Sequence, residues 1–446
     1  MKLYLIMNTL KWLLATALTF ATGFWIVTES KQIDNRPPAT VTVLNGKAVP
    51  INTNDFAQFR RQIMPLIEEM AQKKVVSLGE GTHGTSEFYK VRYWITKILV
   101  EEKGFTNVAF ENDYADSYLL NQALKQGRTD YDALMKQHLI AIWRNEEVKE
   151  LLTWMQTYNK THKRPISFGG LDHMFMKPDA KALTLVTNLL NNKLINVQCD
   201  QLRQLASARD SMWYNSNRRE YNLSDTVSNE NMLLAYEAAL RIDKLTRPIK
   251  LSSEQRSTIA RLTENIRMQC EGGYTYLKTG RGRGNRDSAM AVMATRIMAK
   301  PGDKLIIWAH DAHVSRKPVY NNSVGGMGGF IERKLPGQYF VLGTGTANGT
   351  FAATDDQFIT HASQMKSFPL ETPVDTLWET QLAKADAPAF YVNGVNWNKM
   401  NTNLSNRVIG YGSDNGKRSH DKSSPLNQMY DAYLFIRNTK AATFIP

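Results

Sequence analysis

Glu80 and His83 stand three residues apart in the run Val75-Val-Ser-Leu-Gly-Glu-Gly-Thr-His-Gly-Thr-Ser-Glu-Phe-Tyr89, with glycines at 79, 81 and 84. A carboxylate this close to an imidazole can accept its N–H, fix its tautomer and raise its basicity. That arrangement lets a histidine take a proton from water. The glycines allow a sharp turn and close approach of a ligand to the backbone. The run lacks the Gly-Lys-Ser/Thr ending of a phosphate loop. Taken alone, it reads equally well as a glycine-rich turn with a Ser or Thr helix cap.

Two further clusters share its setting. Asn107-Val-Ala-Phe-Glu-Asn-Asp113 carries Glu111 at the end of an apolar run, where a lone carboxylate also suits a surface position at the start of a helix. Lys304-Leu-Ile-Ile-Trp-Ala-His-Asp-Ala-His-Val314 places His310 and His313 just past another such run. Structural histidines are one reading of that pair. A metal site shared with the carboxylates is another, although no His-Glu-x-x-His motif occurs. Gly-x-Ser-x-Gly is also missing, so a hydrolase built from these groups uses activated water rather than a serine nucleophile.

The elements that must position these groups are short, continuously apolar runs at Val75–Leu78, Asn107–Phe110, Ile166–Phe168, Lys304–Trp308, Tyr339–Leu342, Ala389–Val392 and Tyr433–Ile436. Continuous rather than alternating apolar character predicts strands covered on both faces. Helical patterns intervene, as at Phe88–Lys103 and Tyr114–Gln126. The expected fold is therefore α/β, a parallel or mixed central sheet flanked by helices. Strand-like runs vanish between about residues 178 and 280, where Glu230–Lys244 and Ser253–Cys270 have helical spacing, which predicts a helical insertion. In such sheets ligands bind beyond the carboxyl ends of the strands, and all three clusters fall there.

The formal charge of +13 arises from 55 basic and 42 acidic residues that are interleaved along the chain. No basic run interleaved with aromatics, zinc finger or RNA-recognition signature is present, so a nucleic-acid partner is not expected. Two cysteines, Cys199 and Cys270, exclude a disulfide-rich scaffold and leave open one bridge or two buried thiols. Lys2 and Lys11 precede the apolar stretch Trp12–Val27, the pattern of a signal peptide or N-terminal membrane anchor. Residues 1–30 are assigned to it, 31–54 to a linker and 55–446 to the folded domain. The chain is expected to be exported, periplasmic or extracytoplasmic, because the lysines remain inside.

Taken together, Gly79-Glu-Gly-Thr-His-Gly-Thr85 with Phe88 and Arg92, Phe110-Glu-Asn112, Trp143–Asn159 with Leu151, Leu152 and Trp154, Gly170-Leu-Asp172, Arg286-Asp287 with Met290-Ala291, and Trp308-Ala-His-Asp-Ala-His-Val314 resemble the erythromycin esterase family. The resemblance spans most of the folded domain. It implies hydrolysis of an ester, or opening of a macrolide lactone, with His83 as general base for water. Glu80 then polarises His83 or helps hold the water, and Glu111 joins the same network. Arg92 neutralises a carboxylate or stabilises the oxyanion. His310 and His313 match the family's second histidine motif and both remain candidates. Asp287 is read as the N-cap of a helix at Ser288–Met298. No cofactor or metal is implied, and the expected partner is a small-molecule ester or macrolide lactone. A metal-dependent hydrolase using the same residues is an alternative, as is an exported haem- or metal-binding module. The family's resistance esterases meet their antibiotic in the cytoplasm, so an export segment is a departure. The sequence leaves oligomeric state open.

Overall fold

Val75, Val76, Leu78 and Leu305 to Trp308 are all fully buried, as central strands covered on both faces require. The computed structural model describes residues 47–216, 225–281, 284–298, 300–317, 326–393, 404–413 and 425–446. The segment assigned to export and most of the assigned linker lie outside the described residues. Among the described residues no helix is long and apolar enough to cross a membrane.

The strands are β1 (Val49–Pro50), β2 (Val75–Leu78), β3 (Asn107–Asp113), β4 (Ser167–Asp172), β5 (Leu305–Trp308), β6 (Tyr339–Ala353), β7 (Lys366–Pro369), β8 (Ala389–Asn393) and β9 (Ala432–Thr439). They form one mixed sheet in the order β1-β8-β9-β6-β2-β5-β3-β4, with β7 paired to β6. From β9 to β4 every pairing on that path is parallel. β8 and β1 continue the sheet antiparallel, and β7 is antiparallel to β6. The expected α/β class with a flanked central sheet is the one observed.

Two-residue alternation divides the strand side chains between two cores. Val76, Val108, Ile306 and Leu342 pack on one face with Ile95, Leu99 and Trp143. Val75, Ala109, Ile307 and Val341 pack on the other with Leu183 and Met290. Each large apolar side chain buried this way contributes about 1.5–3 kcal/mol relative to exposure. Phe110 stacks on Trp308 across β3 and β5, with centroids 4.8 Å apart and planes within 13°.

Between β4 and β5 the described elements are helical: Met176–Thr187, a short 3-10 turn, Lys193–Ser216, Asp225–Thr246, Ser253–Thr279 and Arg286–Ile297. They pack through Ile195, Leu202, Ala235, Ala239, Ile242 and Ile266. Cys199 and Cys270 are separate buried thiols in this region.

Several boundaries differ from those the sequence suggests. β3 runs three residues past Phe110, β4 continues to Asp172, and β6 extends to Ala353. Those extensions are polar or glycine-rich and make their bonds inside the sheet or at its carboxyl edge, so they lack an apolar signature. The short strands β1 and β7 carry none either. The helix expected at Ser288–Met298 spans Arg286–Ile297, and its N-cap is Asn285, whose side chain accepts the Ser288 N–H at 2.9 Å. Asp287 therefore does not cap this helix.

Candidate active site

β2, β3, β4 and β5 are parallel, so their carboxyl ends share one edge of the sheet. The loop after β2 is shaped by its neighbours before it reaches His83. Gly79 N–H donates to Leu342 O at 2.8 Å, extending the sheet by one bond. Gly81 N–H donates to the Thr344 hydroxyl oxygen at 3.1 Å, and that hydroxyl donates to Gly79 O at 3.3 Å. Asp311 N–H donates to Glu80 O at 2.9 Å, while the Asp311 carboxyl accepts Thr344 N–H at 3.0 Å. Burial pushes the pKa of the Asp311 carboxyl well above the usual range. A Cβ on Gly79 would lie 1.9 Å from Asp311 Oδ1, and Gly84 has φ +71° with Ala352 O 2.3 Å from where a Cβ would be. Only glycine fits either position. Ile409 completes the clamp: its N–H donates to Gly81 O at 2.9 Å and its carbonyl accepts His83 N–H at 3.0 Å.

Within this frame, Glu80 is fully buried and bridges two partners. Its Oε1 lies 2.6 Å from His83 Nδ1, and its Oε2 accepts from Arg92 Nη2 at 2.7 Å. Arg92, on the helix Ser86–Lys103, is also fully buried. Its guanidinium lies 4.7 Å from the Trp308 ring centroid, 4.8 Å from Tyr89 and 5.5 Å from Trp143. Of the two roles expected for Arg92, the geometry fits neutralising a carboxylate. A guanidinium walled in by three aromatic rings does not reach a substrate oxyanion. With a carboxylate ion-paired to Arg92 on its Nδ1, His83 holds the proton there and presents Nε2 as the basic lone pair. Among the described residues Nε2 has no hydrogen-bond partner.

His310 packs beside His83 with ring centroids 4.6 Å apart and planes tilted by 44°. Its Nε2–H donates to Ile409 O at 3.0 Å, and its Nδ1 accepts Ala312 N–H at 3.3 Å. Burial, and then the neighbouring His83, drive its pKa well below the ordinary value. Both ring nitrogens are engaged by backbone, which fixes the orientation of the ring beside His83.

Glu111 links the two histidine motifs. One carboxylate oxygen accepts His310 N–H at 2.9 Å. The other lies 2.8 Å from Arg286 Nη2 and 3.2 Å from His313 Nε2. Burial pushes the Glu111 pKa upward, but His313, Arg286 and His83 outweigh it and hold the group well below its ordinary value. For His313, burial lowers the pKa, but the Glu111 charge and a 2.6 Å bond from Nδ1 to Asp287 Oδ1 raise it to about 10. His313 is thus an imidazolium at neutral pH.

Arg286 closes the cluster. Its Nε lies 3.1 and 3.0 Å from the two Asp172 carboxylate oxygens, and its Nη2 contacts Asp172 Oδ2 at 2.5 Å. Its side chain is 41% exposed, against 18% for His313 and 5% for His83. His83 is therefore the buried member of the cluster, and Arg286, paired to Asp172 and Glu111, is its most solvent-exposed member. Glu80, His83, Glu111, Arg92, His310 and His313 form one connected network. Arg286 and Asp172, which entered the sequence analysis only as motif residues, are its missing members. Their signal was weak because they lie 114 residues apart in the chain. Two parallel neighbours, β3 and β4, each bringing an acid to the same edge was the available clue. Among the described residues no set of three or more His, Cys, Asp or Glu side chains is arranged to hold a metal.

The erythromycin esterase family model matches residues 100–439. The chain belongs to the erythromycin esterase family. The match begins beyond Glu80, His83 and Arg92, so their place in the site rests on the geometry above. The chain is 22% identical to erythromycin esterase type II of Escherichia coli over 73% of its own length and 82% of that protein. It is 23% identical to the putative hydrolase YbfO of Bacillus subtilis (strain 168), over 84% of this chain and 85% of the relative. Among solved structures, a succinoglycan biosynthesis protein superposes with TM-score 0.73 at 20% identity, covering 91% of this chain and 98% of that one. A mutant of the erythromycin esterase EreC in its open conformation gives TM-score 0.67 at 16% identity, covering 90% and 99%. At such identities these structures show a shared fold.

Proposed function

We propose that this erythromycin esterase family member hydrolyses a carboxylic ester or a macrolide-type lactone by water that His83 activates, without a serine nucleophile. The observation that carries the reading is the buried relay Arg92–Glu80–His83, which leaves His83 Nε2 without a hydrogen-bond partner among the described residues. His83 Nε2 takes a proton from water as the oxygen attacks the acyl carbon. The carbonyl electrons move onto oxygen, forming a tetrahedral oxyanion. Arg286 and protonated His313, the exposed cations of the rim, stabilise that charge. As the carbonyl re-forms, the acyl C–O bond breaks, and the alkoxide takes the proton from His83. The products are one acid and one alcohol, joined in a single chain if the substrate is a lactone. General-base assistance of this kind is worth about 10²–10⁴-fold and an oxyanion donor about 10²–10³-fold.

The family name and the relatives' names support a macrolide as the first substrate to try. An exported location, proposed from Lys2, Lys11 and the apolar stretch after them, would bring the enzyme to esters outside the cytoplasm. The test is to incubate the enzyme with a macrolide panel and simple esters in isotopically labelled water. The expected product has gained one water, with the label in the new carboxylate. Label in the alcohol, or no turnover of any substrate, contradicts the reading.

A further inference from the structure

A cavity opens at the opposite edge of the sheet, away from the candidate active site. It has a volume of about 990 Å³ and reaches the first residues of β3 and β4, at Asn107 and Ser167. β4 ends at Asp172 in the candidate active site, so this cavity and that site are separated by roughly 17 Å of strand. Five cationic side chains line it: Lys125, Lys163, Arg164, Arg261 and Lys300. Only two carboxylates, Glu254 and Asp303, stand among them.

Isolated surface lysines are ordinarily just solvated, but these converge from four separate segments on one concavity. Like charges gathered this way repel one another, and a bound anion relieves the repulsion. Lys125, Lys163, Arg164 and Lys300 have no ion-pair partner among the described residues. Arg261 is held in place by its Nε, which donates to the Tyr114 hydroxyl at 2.8 Å, and by its Nη1, which donates to Arg296 O at 3.5 Å. The floor is of a different character. The partly exposed Tyr118 and Ile297 supply aromatic and apolar surface. Asn121 and Thr258, both buried, supply polar groups. A cationic rim over a partly aromatic floor, at the size of ordinary small-molecule sites, suits an organic body carrying several negative charges.

We propose that this cavity binds a small molecule bearing two or more phosphate groups on a ring-containing body, at a site distinct from the hydrolytic one. The phosphates lie among Lys125, Lys163, Arg164 and Lys300, and the ring rests on Tyr118 and Ile297. The inference does not depend on the hydrolytic reading.

The probes are ATP and inorganic pyrophosphate, titrated calorimetrically into the full chain at low salt. ATP is expected to bind saturably with Kd below ~1 mM, more tightly than pyrophosphate because the ring adds contact. Raising the salt concentration weakens both. The double variant K163E/R164E, at two exposed positions outside the active site, should bind ATP at least about tenfold more weakly. Its melting temperature and ester hydrolysis are the controls for folding. Lys136→Glu, at an exposed position outside the cavity, should leave ATP affinity unchanged. Vesicles containing phosphatidylglycerol test whether a lipid headgroup is the source of phosphate. No saturable ATP binding, equal affinity in K163E/R164E, or capture by vesicles without ATP binding would each overturn the proposal.

Discussion

Arg92 donates to Glu80 at 2.7 Å with neither side chain exposed to solvent. A buried pair of this kind is costly to break from one side, because the remaining charge has no water to solvate it. Arg92→Met should therefore destabilise the fold by about 3–5 kcal/mol. The double variant R92M/E80Q should regain part of that loss, since it removes the orphaned carboxylate. Denaturant melts of the three proteins check this. Equal stability of R92M and wild type would mean the pair is not formed as described.

Thr344 makes a different kind of contribution. Its hydroxyl holds both Gly79 and Gly81, fixing the loop on which Glu80 and His83 ride. Thr344→Val leaves the buried Gly81 N–H without an acceptor, at a cost of about 1–3 kcal/mol. Thr344→Ser keeps the hydroxyl and should restore most stability and turnover. The readout is kcat against KM: misplacing the base lowers kcat more than it raises KM.

At the rim, Arg286 bridges Asp172 and Glu111 while remaining the most exposed cation of the site. Arg286→Lys keeps the charge but loses the forked contact with Asp172. If Arg286 stabilises the oxyanion, Arg286→Lys should lower kcat by up to about 10²-fold with a smaller change in KM. A change confined to KM would assign Arg286 to substrate binding only.

The pH dependence of stability follows from His313 and Glu111. Folding raises His313 from its ordinary 6.5 to about 10, chiefly because the charge of Glu111 outweighs burial. Its contribution is complete below about pH 6.5 and disappears as the pH climbs through about 10. Glu111 is held well below its ordinary 4.5, so its contribution is present above that pH and is lost as acid protonates the folded group. Stability should therefore be greatest between about pH 4.5 and 6.5, with His313→Asn flattening the alkaline limb. Melting temperatures across the pH range check both limbs. An unchanged alkaline limb in the variant would mean that His313 is not the imidazolium described.

The sheet was legible wherever burial on both faces wrote an unbroken apolar run, as at Val75–Leu78 and Leu305–Trp308. It was not legible where a strand continues past its apolar run: Glu111 to Asp113 are polar, and Gly169 and Gly170 interrupt β4 before Leu171 and Asp172. Glu80, His83, Glu111, His310 and His313 were readable because each follows an apolar run closely. Their partners were harder. Asp287 looks like a helix cap in sequence, yet it binds His313 because the helix starts two residues earlier than its pattern suggests. Ile409, which fixes both His83 and His310, acts through its backbone, so its side chain carries no signal of that role.

The histidine pair offers the most direct test of the whole account. His83 presents a free basic nitrogen, whereas His310 beside it has both nitrogens bound to backbone. The measurement is the hydrolysis rate of wild type, His83→Asn and His310→Asn on one ester that the wild type turns over. His83→Asn should lose about 10²–10⁴-fold in kcat while keeping its fold, and restoring activity by raising the pH should fail. His310→Asn should lose less, and should keep the wild-type shape of the pH–rate profile. Full activity in His83→Asn would contradict the account.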